Sequence, residues 1–196
     1  EFDGILVHSL YYRDFMAEYL RIPLEKFHVI PLGIDLRGHT GKPEARMPDR
    51  FTIGYFARIC PEKGLHVLMD AFDILHARHP HARLRVGGYL GPRDRTYLEY
   101  HIKRARNRGH VLEALANGTP VVQPRHGSFP EMLEQTRGGL LFDPEHPEQL
   151  ANALEEMLLN QEQRLKHAKD GYDLVRKHYG PEEMARRSVE IFSKAR

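Results

Sequence analysis

Strands and helices alternate through the middle of this chain of 196 residues, and that alternation narrows the fold more than any other feature. The run from Phe51 to Gly64 reads FTIGYFARICPEKG. Its apolar, β-prone part (Phe51, Ile53, Tyr55, Phe56) predicts a strand over 51–57. Leu65, Leu68, Phe72 and Leu75 recur at three- and four-residue spacing and predict an amphipathic helix over 65–79. A strand over 83–87, a Gly87-Gly88 turn and a helix near 94–107 follow. Strands alternating with helices of this length imply an α/β fold built on a parallel, doubly wound sheet. Such sheets bind ligands beyond the carboxyl ends of their strands. The helix that starts after Gly64 would aim free N–H groups at that spot. With Arg58 and Lys63 in the connecting loop, the place suits a diphosphate.

The flanking segments extend the pattern. Gly4 to Ser9 (GILVHS) predicts a buried strand, Tyr11 to Leu20 a helix, and His28 to Ile30 a second short strand that leads into Pro31-Leu32-Gly33-Ile34-Asp35. The polar stretch 36–50, with its glycines and prolines, predicts a linker. Downstream, Val111 to Ala116 predicts a short helix, Gly118 its C-cap glycine, and 120–123 and 139–142 two more buried strands. Pro147 opens a helix with Leu150, Leu154 and Leu158 on one side. Two further amphipathic helices close the chain, one through Leu165, Ala168, Tyr172 and Val175, the other through Met184, Ser188 and Phe192. One place breaks the alternation. The helix at Val111 follows the helix near 94–107 with only Gly109 and His110 between them, where a parallel sheet requires a strand. We read a missing segment near 108–111, with a true helix–turn–helix as the alternative.

Composition excludes several classes. Hydrophobic content of 41% suffices for a buried core. No apolar run approaches the roughly 18 residues that cross a bilayer as a helix. Cys60 is the only cysteine, so an intramolecular disulfide is excluded and a reducing, cytoplasmic setting is expected. A net charge of +2 argues against a dedicated nucleic-acid binder. Arg93 to Arg108 is a basic stretch with Tyr97 and Tyr100 interleaved, for which a solvated helix face is the simpler account. The grouped His76, His79 and His81 are interrupted by Pro80 and read as exposed side chains at a helix end, so no metal is expected.

Three blocks resemble one family. Asp35 ends PLGID, Arg58 and Lys63 stand in ARICPEKGL, and residues 111–131 read VLEALANGTPVVQPRHGSFPE. Together they resemble the donor-binding lobe of retaining glycosyltransferases with the two-lobed GT-B architecture, the large family called group 1. The resemblance implies a Rossmann-like sheet. It assigns 1–40 to the end of the acceptor lobe and the crossing between lobes, 41–180 to the nucleotide-sugar-binding lobe, and 181–196 to a helix packing back across the hinge. It also implies transfer of a hexosyl-type group from a nucleoside-diphosphate sugar, with retained anomeric configuration and neither metal nor cofactor. The acceptor would be a saccharide, lipid or protein, and membrane association of the parent enzyme stays open.

The residues agree with that chemistry. A departing diphosphate gains negative charge, and without a metal that charge needs fixed cations. Arg58 can grip phosphate oxygens with a planar fork, while Lys63 supplies a movable point charge. Losing such a stabiliser costs roughly 3 kcal/mol at the transition state. Glu113 matches the second carboxylate of the family's paired-glutamate motif, and a carboxylate can accept from both ribose hydroxyls. Its plainer role is a favourable charge in a helix's first turn. Gly109 and His110 match the loop entering that helix, where backbone N–H groups can face phosphate or sugar. Gly127 and Glu131 sit in the loop after strand 120–123 and are expected to shape the pocket, with a turn glycine and a solvated acid as the alternative. The first glutamate of the pair is absent, because Ala105 stands eight positions before Glu113. Two other readings stay open: a non-catalytic nucleotide-binding fragment or remnant of such an enzyme, and a sugar-nucleotide epimerase of the same architecture.

Overall fold

The computed structural model describes residues 3–43, 51–94, 97 and 111–194. Near the start, Ile5–Val7 (β1) and Phe27–Val29 (β2) pair in parallel, joined by helix Leu10–Leu20 (α1). This unit has a small core of its own, built from Val7, Ala17 and Phe27. On its outward side α1 exposes Tyr11, Phe15 and Tyr19, whose rings stack in succession at 6.4 and 6.1 Å. The chain then crosses to the C-terminal helices. There Gly33 donates its N–H to Met184 Sδ (3.2 Å) and Ile34 donates to the Tyr179 carbonyl (2.8 Å).

The main body repeats the strand–helix–strand plan. Thr52–Phe56 (β3) pairs in parallel with Arg83–Gly87 (β4), with helix Leu65–Arg78 (α2) between them in sequence. After the short helix Val111–Ala116 (α3), Val121–Pro124 (β5) pairs in parallel with Gly139–Phe142 (β6), joined through helix Phe129–Thr136 (α4). Helices Pro147–Leu159 (α5), Gln161–Tyr179 (α6) and Pro181–Lys194 (α7) complete the order.

Apolar stripes decide how these elements pack. Leu68, Ala71 and Leu75 of α2 meet Leu150, Ala151 and Leu154 of α5, together with Ile53 of β3 and Phe142 of β6. Val121 of β5 turns the other way and packs with Leu115 of α3, Leu133 of α4 and Val175 of α6. Its neighbour Val122 faces the α2–α5 layer, as alternate residues of a strand must. The β5–β6 pair is therefore covered on both faces, the state that parallel strands require.

Among the described residues the parallel strands run in pairs. β3–β4 and β5–β6 are separate two-stranded sheets among the described residues. The β3–β4 pair is also bare on one side, where Thr52, Gly54, Arg83 and Arg85 are exposed. A strand bridging the two pairs and a helix over the bare face are what a doubly wound sheet would add here. The helix expected near 94–107 and the break near 108–111 lie outside the described residues, apart from Tyr97 and the start of that segment.

The end of α3 is closed tightly. Gly118 takes φ +70°, and the N–H groups of Gly118 and Thr119 bond the carbonyls of Leu115 and Ala114, both at 2.9 Å. This is a Schellman closure, which favours glycine at that position. Arg176 of α6 donates to the Ala116 carbonyl (2.7 Å) and to the His39 carbonyl (3.0 Å), with its guanidinium 3.5 Å from the centre of the Tyr172 ring. A cation is thereby held at the negative end of α3, and the crossing segment is tied to the body. Replacing Arg176→Ala strips a charged donor from two carbonyls and is expected to lower the unfolding free energy by about 3 kcal/mol. Arg176→Lys should retain part of that loss. Urea denaturation of the three proteins measures both.

Candidate functional site

β3 ends at Phe56, and the loop beyond it is anchored from below. Ile59 and Cys60 are buried while Arg58, Glu62 and Lys63 stay exposed. The loop after β4 runs alongside: Ala57 donates its N–H to the Gly87 carbonyl (3.3 Å) and Ile59 donates to the Tyr89 carbonyl (2.8 Å). Gly88 sits where the two loops touch. It takes φ +148°, and a Cβ there would fall 1.6 Å from the Ala57 oxygen, so no side chain fits. Pro61–Lys63 then form a single 3-10 turn that Gly64 closes at φ +68°, and the Tyr55 hydroxyl donates to the Lys63 carbonyl (2.9 Å).

The loop is less positive than its two cations suggest. Arg58 has two acidic neighbours at 3.7 Å, Glu62 in its own loop and Asp94 from the segment after β4. The Glu62 carboxyl is held below its ordinary range, first by the Cys60 thiol and then by its own backbone N–H. Lys63 has no ion-pair partner among the described residues. Ion pairs this loose, with Arg58 more than half exposed, are worth under about 1 kcal/mol.

One of the free N–H groups expected at the start of α2 is taken. Lys63 and Gly64 donate to the Cys60 and Pro61 carbonyls (3.1 and 3.0 Å), and Leu68 donates to the Gly64 carbonyl (3.2 Å). His66 donates its N–H to the Tyr97 hydroxyl (3.1 Å), which also lies 3.0 Å from His66 Nδ1. The tyrosine uses one donor of the helix end, while the N–H groups of Leu65 and Val67 donate to no acceptor among the described residues.

The remaining candidates occupy two other places. Glu113 is half-buried in the first turn of α3, and its carboxylate makes no hydrogen bond or ion pair among the described residues. Gly109 and His110 lie outside the described residues. Gly127 takes φ +61° in the turn after β5, and an added Cβ would meet nothing within 4 Å, so conformation rather than space selects glycine. The N–H groups of Gly127 and Ser128 donate to no acceptor among the described residues. Glu131 is not in a loop, as expected from the sequence, but in the first turn of α4. Its Oε2 accepts the Leu10 N–H at 2.9 Å. The Ser128-Phe129-Pro130-Glu131 spacing is the capping-box pattern that marks this helix start, with proline inside the first turn. Among the described residues no hydrogen bond or ion pair connects the Arg58–Lys63 loop to Glu113, Gly127 or Glu131.

The histidines have other work. His79 bonds Glu155 at 2.6 Å, and His76 stacks on Phe72 at 5.3 Å. Among the described residues no three His, Cys, Asp or Glu side chains come together as metal ligands, and no helix is long and apolar enough to cross a membrane.

Comparison with known proteins places this geometry. Residues 109–174 match the family model described as glycosyl transferases group 1. A D-inositol 3-phosphate glycosyltransferase of Corynebacterium urealyticum is 29% identical over 181 aligned positions, which take in 72% of this chain and 41% of the relative. The chain spans about half the length or less of the curated relatives it matches. In fold, HepE of Anabaena, solved in complex with UDP, superposes with a TM-score of 0.85 at 17% identity, covering 98% of this chain and 64% of HepE. The C-terminal domain of a group 1 glycosyltransferase protein from Francisella tularensis superposes at 0.63 with 24% identity, covering 76% of this chain and 100% of that domain. The chain thus resembles group 1 glycosyltransferases in sequence and a GT-B lobe in fold.

Tyr55, which braces the candidate loop, gives it a pH signature. Burial first, then Tyr97 and Cys60, push its hydroxyl well above the ordinary range. The folded protein then binds this proton more tightly than the unfolded chain, whose tyrosines titrate near pH 10. Its contribution is full below about pH 10 and is lost as pH rises further. Urea midpoints should fall between about pH 9 and about pH 11, and Tyr55→Phe should flatten that fall.

Proposed function

We propose that this chain is the nucleotide-sugar-binding part of a glycosyltransferase, one that moves a hexosyl-type group from a nucleoside-diphosphate sugar to an acceptor with retention and without a metal. The observation that carries the reading is the loop after β3, where Arg58 and Lys63 are presented from a buried base beyond the end of a parallel strand. The group 1 match over 109–174 and the UDP found with HepE support it. In this reading Arg58 leaves its two loose acidic neighbours and takes the diphosphate oxygens as a planar fork, while Lys63 follows the charge that develops as the glycosidic bond breaks. Glu113, with an uncommitted carboxylate, accepts from the ribose hydroxyls. The open N–H groups of Gly127 and Ser128 add donors, and Gly109 and His110 join the pocket by resemblance. Residues 1–40 and 181–196 serve as the crossing from the acceptor lobe and the helix that packs back on it, and the setting is cytoplasmic.

A second reading is favoured by specific observations. Ala105 stands where the family places its first glutamate, and the sheet is divided into two pairs. Both suit a module that binds the nucleotide without turning it over.

Calorimetric titration with uridine diphosphate and uridine monophosphate tests the reading. The diphosphate should bind at least about tenfold more tightly, since the second phosphate adds charge-assisted bonds. Lys63→Ala should erase that preference, and Asp94→Asn should strengthen diphosphate binding a few-fold by releasing Arg58. Equal affinity for both nucleotides, or none for either, removes the case for the loop. A chain that binds the diphosphate yet releases none from a nucleotide sugar is the module of the second reading.

A further inference from the structure

We infer that Glu131 is a positioning residue: its carboxylate holds the loop 125–128 against the start of α1, so that the β1–α1–β2 unit and the phosphate-side loop move together. The functional half of this inference rests on the donor-binding reading above.

The contact is unusual for its sequence context. A Ser-x-x-Glu spacing normally lets the glutamate reach back to the N-cap of its own helix. Here Ser128 makes no side-chain cap to α4, and Glu131 turns instead to a different helix, 121 residues away in sequence. At that helix, buried Ser9 is the N-cap and its Oγ accepts the Tyr12 N–H (3.1 Å), while Glu131 accepts the Leu10 N–H (2.9 Å). Two of the donors that α1 would leave open are therefore satisfied, one by its own serine and one by the body of the protein. The carboxylate also lies at the positive end of both α1 and α4, where negative charge is favoured twice over.

A second contact joins the same two places. The ring of Tyr11, the next residue along α1, meets the ring of His126 at 5.9 Å with an interplanar angle of 62°. His126 precedes Gly127 in the loop whose N–H groups are open. The loop is thus held at His126 and, five residues on in the first turn of α4, at Glu131, both from α1. The unit itself packs its own core of Val7, Ala17 and Phe27, so it can shift as a body about the crossing at Gly33 and Ile34. A ligand that orders the loop must then order the start of α1, and by linkage the reverse holds with the same coupling.

Hydrogen exchange of this chain, with and without uridine diphosphate, reads the coupling. In the wild type the nucleotide should slow exchange of Leu10 to Arg13 as well as of His126 to Ser128. In Glu131→Ala the protection of Leu10 to Arg13 should vanish, and diphosphate affinity should fall by about tenfold, the loss of one charge-assisted bond. Glu131→Gln, which keeps an acceptor oxygen, should recover part of both, and Tyr11→Ala should weaken both in the same direction, which keeps the test usable if Glu131→Ala fails to fold. Nucleotide binding that leaves Leu10 to Arg13 untouched in the wild type overturns the inference. If the wild type binds no nucleotide, the functional reading falls, and the mutants alone decide the latch. Glu131→Ala must then speed exchange at both the α1 start and Gly127–Ser128, and acceleration at α1 alone reduces Glu131 to an ordinary cap.

Discussion

The contact between Gly88 and the Ala57 carbonyl sets the geometry on which the candidate site depends. Two loops from neighbouring parallel strands can run side by side only if one of them presents bare backbone, and a Cβ 1.6 Å from that oxygen is impossible. Once the loops are joined, Ile59 and Cys60 are buried, Ile59 against Leu65, Met69 and Val86, and the residues just before and after them stay exposed. Arg58 and Lys63 are exposed because their neighbours are buried. The same closeness brings Asp94 within 3.7 Å of Arg58 and Tyr97 onto the first turn of α2. The segment after β4 therefore places an acid beside Arg58 and a hydroxyl on the helix start.

The divided sheet has a consistent explanation. Parallel strands are stable when both faces are covered and both edges are paired or protected. β5–β6 meets the first condition through α5 on one side and α3, α4 and α6 on the other. β3–β4 does not, and no strand joins the two pairs among the described residues. The alternation in the sequence fails between the same two pairs, near 108–111. Among the described residues, the sequence pattern and the packing both leave room for one more strand and helix between β4 and β5.

Much of this was legible in the residues. Strand 139–142 and helix 111–116 stand where periodicity puts them, and Gly118 closes the helix as its position after the last apolar residue suggests. Short-range chemistry fixes such features, so a sequence reveals them. What escaped were features that depend on distant partners. Helix α4 was overlooked because only one turn of it is apolar, though Ser128 and Glu131 mark its start. The destination of Glu131 could not be read, since Leu10 lies 121 positions away. Arg58 and Lys63 were found as a cationic pair, yet the acids that offset them come partly from Asp94, beyond the next strand. A positive loop read from its own residues became, in three dimensions, a nearly balanced one.

The central claim is that this loop exchanges internal acids for a pyrophosphate. A crystal structure of the chain with uridine diphosphate bound tests it most directly. The account predicts terminal phosphate oxygens within about 3 Å of both the Arg58 guanidinium and Lys63 Nζ, with Arg58 turned away from Asp94. A bound diphosphate lying elsewhere, with Arg58 still between Glu62 and Asp94, would contradict it.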